Sequence, residues 1–431
     1  MIIGENFEVL QNLLITHKNR IDIIYIDPPY NTGGTNLGYK DKFSKNAWLN
    51  LMKQRMEIAY DLLTDDGVIF ISLDDNMQAY FKVMMDSIFG EENFIGNILW
   101  QTNNSVMKNV KYIRQDFEYI LIYAKNKQNL TNFNRFINQN IKFQNPDNDP
   151  KGDWFSANAT YKYKEGSPNT FEIIPPGKIN GIVRTWKFSK EDYLNNKISL
   201  YFNNDNVPRL KLYKSEYDIE KPYSNLLLSI QKYDEINSNE FNYINITSSF
   251  SDAKNGLISI LGKNDLIDVF TPKPVDVIKF IINLCPKKDN QIILDFFAGS
   301  GTTGQAVWEL NKQDQGNRQF ILCTKEFDSD DNNKVNDIGY GVCFERLYRI
   351  STGKSTNNES FEWLKKNEPF NKSLDVYSIK HVDISINKNA HNEYLNEIDF
   401  SIYNTLNPKL NLNKDNAYSI LAPLLDHIGE E

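Results

Sequence analysis

The chain has 431 residues, of which 40% are hydrophobic and 13% aromatic. That composition excludes a disordered protein, and the length predicts two or three folded units. No run of about 18 apolar residues is present to span a membrane, the N-terminus lacks a secretion-signal pattern, and three cysteines with four scattered histidines offer no metal-ligand spacing; the expected setting is reduced and cytoplasmic, with no membrane partner.

The net charge of −8 is unevenly spread. Residues 101–230 hold 19 Lys plus Arg against 13 Asp plus Glu, a local +6 that leaves −14 elsewhere. A basic stretch inside an acidic chain suits either a solvated surface or a nucleic-acid contact.

In chain order, Asn6–Leu14 has apolar residues at helical spacing. Ile21–Ile26 is a short β-branched run suited to a buried parallel strand, and Asp27-Pro28-Pro29-Tyr30 ends it because proline cannot continue a sheet. Residues 46–63 predict a helix through Trp48, Leu51, Met52, Met56, Ala59, Leu62 and Leu63. Asp65-Asp66-Gly67 predicts a turn, Val68–Ser72 a strand, and 75–88 another helix. From about 126 to 255 this alternation fades into Asn, Lys and aromatic residues. It returns with a helix at Pro274–Leu284, a strand at Gln291–Phe296, a Gly-rich turn at Ala298–Gly304, a helix at Thr302–Leu310 and a strand at Arg318–Cys323.

The pattern predicts an α/β fold, a Rossmann-like parallel sheet with helices on both faces. It also predicts an inserted α+β domain and a small C-terminal region. The expected boundaries are 1–125, 126–260, 261–350 and 351–431.

Two motifs carry candidate chemistry. Asp27, Pro28 and Tyr30 lie beyond the carboxyl end of a strand, where open α/β sheets bind ligands. The Asp27 carboxylate and the Pro28 carbonyl form a pair of acceptors suited to the exocyclic amine of a nucleobase. The lone pair of such an amine is delocalised into its ring, and two acceptors can localise it. Tyr30 can stack on a base removed from a helix. The bland alternative is a turn after a strand.

The second motif is Asp295-Phe296-Phe297-Ala298-Gly299-Ser300-Gly301-Thr302 between a strand and a helix. Its glycines permit close backbone approach, and the helix N-terminus favours a ligand carboxylate. The loop can cradle an adenosyl group and its methionine tail. A nicotinamide dinucleotide site has similar spacing; the Asp-Phe-Phe-Ala start and the Asp-Pro-Pro-Tyr partner argue against it. Glu326, after the next strand, is positioned to bind ribose hydroxyls or to be a solvated loop charge.

Ile24 to Gly33, Asp65 to Asn76, Phe117 to Asn126, Thr271-Pro272-Lys273-Pro274, Asp295 to Thr303 and Asn317 to Leu322 together resemble the β-class amino-methyltransferases of DNA. The closest resemblance is to the modification (Mod) subunits of type III restriction–modification systems. The order, catalytic motif first and glycine loop after a long insert, is the hallmark of that class.

The resemblance implies S-adenosyl-L-methionine as cofactor and adenine N6 of double-stranded DNA as target, because Asp opens the tetrapeptide. Cytosine-N4 enzymes more often open it with Ser, and related enzymes of RNA or protein with Asn. It implies catalytic roles for Asp27 and Tyr30. It also implies cofactor contacts from Phe297, Gly299, Gly301 and the Thr271–Lys273 stretch, a homodimer, and a restriction (Res) subunit as partner. The chain departs from the family pattern in a short leader, a short C-terminal region, and Phe117 where His is common. These departures leave a solitary methyltransferase open. The 126–260 insert is the expected target-recognition domain, with Trp154, Tyr161 and Trp186 either holding DNA or packing a core.

Overall fold

Ile21–Ile26 forms a strand buried along nearly its whole length, as expected for a central parallel strand covered on both faces. It belongs to the first of two compact units, Met1–Asn134 with Ser224–Glu431; the second is Arg135–Tyr223. The computed structural model describes all residues except 34–42, 103–111, 138–141, 204, 218–219, 229–243, 246–247, 264–266, 268–270, 326–338, 358, 380–397, 418 and 421–431.

The strands of the first unit are β1 (Ile2–Ile3), β2 (Ile21–Ile26), β3 (Leu63–Leu73), β4 (Phe94–Gln101), β5 (Phe117–Ala124), β6 (Leu226–Leu228), β7 (Ile244–Asn245), β8 (Ile292–Asp295), β9 (Gln319–Thr324) and β10 (Tyr377–Ser378). They form one ten-stranded sheet in the order β7-β6-β4-β5-β3-β2-β8-β9-β1-β10. All neighbours run parallel except β5, which is antiparallel to both β3 and β4. The sheet is therefore mixed rather than wholly parallel.

The main helices are α1 (Asn6–His17), α2 (Lys45–Leu62), α3 (Gln78–Phe89), α4 (Phe250–Leu261), α5 (Val275–Leu284), α6 (Thr302–Asp314), α7 (Glu345–Thr352) and α8 (Phe400–Leu406). Side chains of α1, α2 and α3 pack one apolar cluster with Ile24, Ile69 and Cys323. Side chains of α4, α6 and α7 pack another with Leu322. Leu322 and Cys323 are consecutive on β9, so the two clusters cover opposite faces.

Asp65-Asp66-Gly67 does not break the chain into a separate turn. It forms a bulge within β3, where the pairing jumps from Ile21↔Leu63 to Ile23↔Val68. Lys288 pins it by bonding Asp66 and Asp22 together (2.7 and 2.9 Å).

Residues 224–261 and the strand β10 belong to the first unit. α4 starts at a capping box, in which the Ser249 side chain accepts from Asp252 N–H while Asp252 accepts from Ser249 N–H. The second unit holds a three-stranded antiparallel sheet of Leu200–Phe202, Pro208–Tyr213 and Trp154–Asn158, and a hairpin of Thr170–Ile173 with Ile182–Thr185. Trp154 and Trp186 are buried core residues there, and the Trp186 indole donates to the Phe171 carbonyl. Tyr161 alone of the three aromatics is exposed. Among the described residues no helix is long and apolar enough to cross a membrane.

Candidate functional site

The sheet order places the two motifs side by side. From β2 the chain passes through α2 to β3 on one side; from β8 it passes through α6 to β9 on the other. β2 and β8 are adjacent and parallel, with Ile23↔Ile293 and Ile24↔Leu294 in register. The point where the winding reverses leaves a crevice at the carboxyl ends of those strands. Asp27 follows one strand and Asp295 ends the other.

A cavity of about 380 Å³ opens there, within the usual size range of small-molecule sites. Asp27, Thr271, Pro272, Lys273, Asp295, Phe296, Phe297, Ala298, Gly299, Ser300 and Thr302 all line it. Pro28, Tyr30 and Gly301 do not, although Tyr30 bonds to Asp27. Glu326 lies outside the described residues.

On the β2 side, the Tyr30 hydroxyl lies 2.8 Å from Asp27 Oδ1 and 3.1 Å from Glu118 Oε2. The Lys273 ammonium donates to Tyr30 Oη at 2.7 Å and to Glu118 Oε2 at 2.5 Å, and lies 3.3 Å from Asp27 Oδ1. Burial pushes the Lys273 ammonium towards losing its proton, but Asp27 and Glu118 outweigh it and hold its pKa above the ordinary lysine range. Burial also raises the Tyr30 phenol and the Glu118 carboxyl, with the Asp27 charge adding to both shifts. The Trp48 indole donates to the Pro29 carbonyl at 2.8 Å, which fixes the proline turn against α2.

On the β8 side, Asp295 Oδ1 accepts from Phe297 N–H at 3.0 Å, and its other oxygen accepts from the Thr303 hydroxyl at 2.5 Å. Burial pushes the Asp295 carboxyl up to about 7, against those two donors and with help from the Asp27 charge. Gly299 and Gly301 adopt left-handed conformations, φ +50° and +77°. A Cβ on Gly301 would stand 2.9 Å from Cys343 Sγ, whereas one on Gly299 would meet only the Phe297 carbonyl at 3.9 Å. The loop therefore packs tightly behind and leaves open space around Gly299.

Buried Arg346 holds the start of α6. It donates to Ser300 O and Oγ (3.2 and 3.1 Å), Thr302 Oγ1 (2.9 Å) and Gln305 Oε1 (3.0 Å). Burial lowers its pKa to about 10, so it keeps its charge near neutral pH.

Sequence reasoning missed Glu5, Asn6, Trp48, Arg55, Glu118 and Arg346 as site residues. Arg55 donates to Glu5 Oε1 and Asn6 Oδ1 (both 2.6 Å), and Asn6 donates to the Phe296 carbonyl (2.9 Å). The available signal was a charge in an apolar setting: Arg55 among Trp48, Met52 and Met56, and Glu118 inside Phe-Glu-Tyr-Ile-Leu-Ile-Tyr-Ala.

These features define an α/β protein with an acidic, aromatic ligand pocket at the reversal point of its sheet. A family profile described as DNA methylase matches residues 21–340, and the chain belongs to that family. It is 33% identical to the type III restriction-modification enzyme StyLTI Mod subunit of Salmonella typhimurium, over 82% of this chain and 57% of that one. It is 30% identical to the EcoPI Mod subunit of Escherichia phage P1, over 83% and 63% respectively. The type II methyltransferase M.KpnI of Klebsiella pneumoniae is 31% identical over 74% of this chain and 79% of its own. The chain thus spans less than two thirds of the length of both Mod subunits.

Proposed function

We propose that this chain is a sequence-specific DNA methyltransferase that transfers a methyl group from S-adenosyl-L-methionine to N6 of adenine. The observation that carries the reading is the single cavity shared by Asp27 and the Gly299–Thr302 loop at the ends of adjacent strands.

The residues present fit such a donor. The α6 N-terminus, with Ser300 and Thr302 locked by Arg346, offers partial positive charge to a carboxylate. Open space at Gly299 admits close approach of a ligand to the backbone. Phe43, Trp48, Leu51 and Phe297 give apolar walls, and Asp27 gives a negative charge. When bound, S-adenosylmethionine supplies a methyl group carried on a positively charged sulfonium.

The chain's own residues prepare the acceptor. Asp27 accepts one hydrogen of the adenine amine, and the Pro28 carbonyl, unpaired among the described residues, accepts the other. Together they localise the nitrogen lone pair and hold it in line, which is where most of the rate gain arises. Tyr30 presents a ring beside Asp27 for a base taken out of the helix. Asp27, already paired with that amine, can accept the proton that the nitrogen loses after the methyl group has left the sulfur.

The second unit, Arg135–Tyr223, is our candidate for target recognition. Tyr161, Lys162, Tyr163, Lys164, Lys178, Arg184 and Lys187 are all exposed on it, an aromatic and basic surface suited to phosphates. Duplex DNA is the proposed partner, in a cytoplasmic setting and as a homodimer. Service as a Mod-like subunit beside a restriction subunit and service as a solitary enzyme are both compatible with this site.

The test is transfer of radiolabel from S-adenosylmethionine to duplex DNA, followed by nucleoside analysis. N6-methyladenine is the expected product, and the Asp27→Ala protein is expected to lose transfer by about 10³-fold or more. N4-methylcytosine as sole product would overturn the base assignment. Label entering only RNA or protein would overturn the substrate class.

A further inference from the structure

Lys273 is an unexpected neighbour for a reaction that begins with a cation. Its ammonium is buried beside Asp27, and the rings of Tyr30, Trp100 and Phe250 stand 5.0, 5.3 and 5.1 Å from it. A positive charge there repels a sulfonium and cancels the one carboxylate the reaction uses. Glu118 removes the conflict. It stands on β5 with its side chain 15% exposed, Oε2 2.5 Å from the ammonium and 3.1 Å from Tyr30 Oη.

We propose that Glu118 is a positioning residue whose carboxylate neutralises Lys273, leaving the Asp27 charge uncompensated for a cationic methyl donor. This inference rests on the donor site proposed above. Two carboxylates and one ammonium give the cluster a net charge of −1. Glu118 lies behind the cavity wall, and the charges that line the cavity beside Asp27 and Lys273 do not substitute for it. Arg55 and Glu5 pair with each other at 2.6 Å, Lys325 is exposed to solvent, and Asp295 is committed to Thr303 and Phe297.

The same geometry assigns Lys273 its part. It bonds Tyr30 Oη and reaches both carboxylates, so it holds the aromatic ring and Asp27 in a fixed relation. A cation between two acids at this distance prevents their mutual repulsion. Glu118 permits this clamp without reversing the electrostatic sign of the site.

The prediction separates two ligands that differ by one charge. S-adenosylmethionine is a sulfonium cation, and S-adenosylhomocysteine is the neutral thioether of nearly the same shape. Glu118→Gln keeps the shape of the side chain and moves the cluster from −1 to 0. Its affinity for S-adenosylmethionine should fall about tenfold relative to S-adenosylhomocysteine, the scale of one unit charge acting over about 10 Å at an effective dielectric near 20. Lys273→Met should shift the ratio the opposite way, and the double variant, again at −1, should restore it.

The measurement is calorimetric titration of both ligands into the full chain and its three variants. A purely structural role for Glu118 would weaken both ligands alike and leave the ratio unmoved. An unchanged ratio with both ligands bound overturns this inference and leaves the donor site standing. Failure of the unmodified chain to bind either ligand overturns the donor site itself. If Glu118→Gln does not fold, the Lys273→Met ratio decides alone: an unmoved ratio there overturns the proposal.

Discussion

Asp27 and Asp295 lie at the ends of adjacent parallel strands and line one cavity, yet their surroundings give them opposite characters. Asp295 is almost wholly enclosed, held by a hydroxyl and a backbone N–H from its own loop, and burial has moved its carboxyl up to about 7. The Asp27 side chain keeps 28% of its surface exposed and faces a cation and a phenol. One shapes a loop; the other presents charge to whatever enters. Residue type does not distinguish them; Asp295 still lies within its strand, level with Tyr25, while Asp27 stands one residue beyond its own, and their neighbours differ accordingly.

Substitution should expose that contrast. Replacing Asp27 removes chemistry, the thousandfold or greater loss of transfer stated above, with little change in melting temperature. Replacing Asp295 should act on stability through pH. Its pKa is about 7 in the folded chain and near 4 when unfolded. Between those values the folded chain holds a proton that the unfolded chain has released, so this group's contribution falls as pH rises from about 4 to 7 and then levels off. Asp295→Asn should remove that slope, a difference of a few kcal/mol across the window. Melting curves of both proteins from pH 5 to 8 check it. Parallel curves would show that Asp295 titrates normally and that the two carboxylates are alike in character.

The next effect tests the two sides of the glycine loop. Gly301→Ala combines a left-handed backbone with a Cβ 2.9 Å from Cys343 Sγ, and should cost roughly 2–3 kcal/mol. Denaturant unfolding measures it, and a cost below about 0.5 kcal/mol would show that the turn carrying Cys343, just ahead of α7, yields to the extra carbon. The smallest effect concerns Trp48. Trp48→Phe keeps most of the packing against Phe81 but loses the bond to the Pro29 carbonyl, worth about 1 kcal/mol. We expect kcat to fall several-fold with donor affinity unchanged. Phenylalanine keeps the apolar wall that Trp48 gives the cavity, so loss of donor affinity with kcat unchanged would show that the bond to the Pro29 carbonyl does not bear on transfer.

The central elements were legible because periodicity and punctuation agreed. Ile21–Ile26 ran apolar but for Asp22 until Asp27 and the prolines, and Thr302 onward became helical after Gly301. The antiparallel direction of β5 was not legible, since an apolar run carries no record of its partner's orientation. Lys273 was expected at the donor, and its pairing with Glu118 was unreadable because 155 residues separate them. Trp154 and Trp186 were readable either as DNA contacts or as core, and only the enclosing strands show them as core. Paired charges from distant segments are settled by packing, whereas strand ends are written locally.

The decisive measurement is Asp27→Ala, assayed in one preparation for S-adenosylhomocysteine affinity and for methyl transfer in a single turnover. The neutral ligand avoids the charge effect that Asp27 exerts on a sulfonium. If Asp27 and the glycine loop share one pocket, affinity stays within about threefold of the unaltered chain and transfer falls about 10³-fold or more. Transfer that persists near its original rate would contradict it.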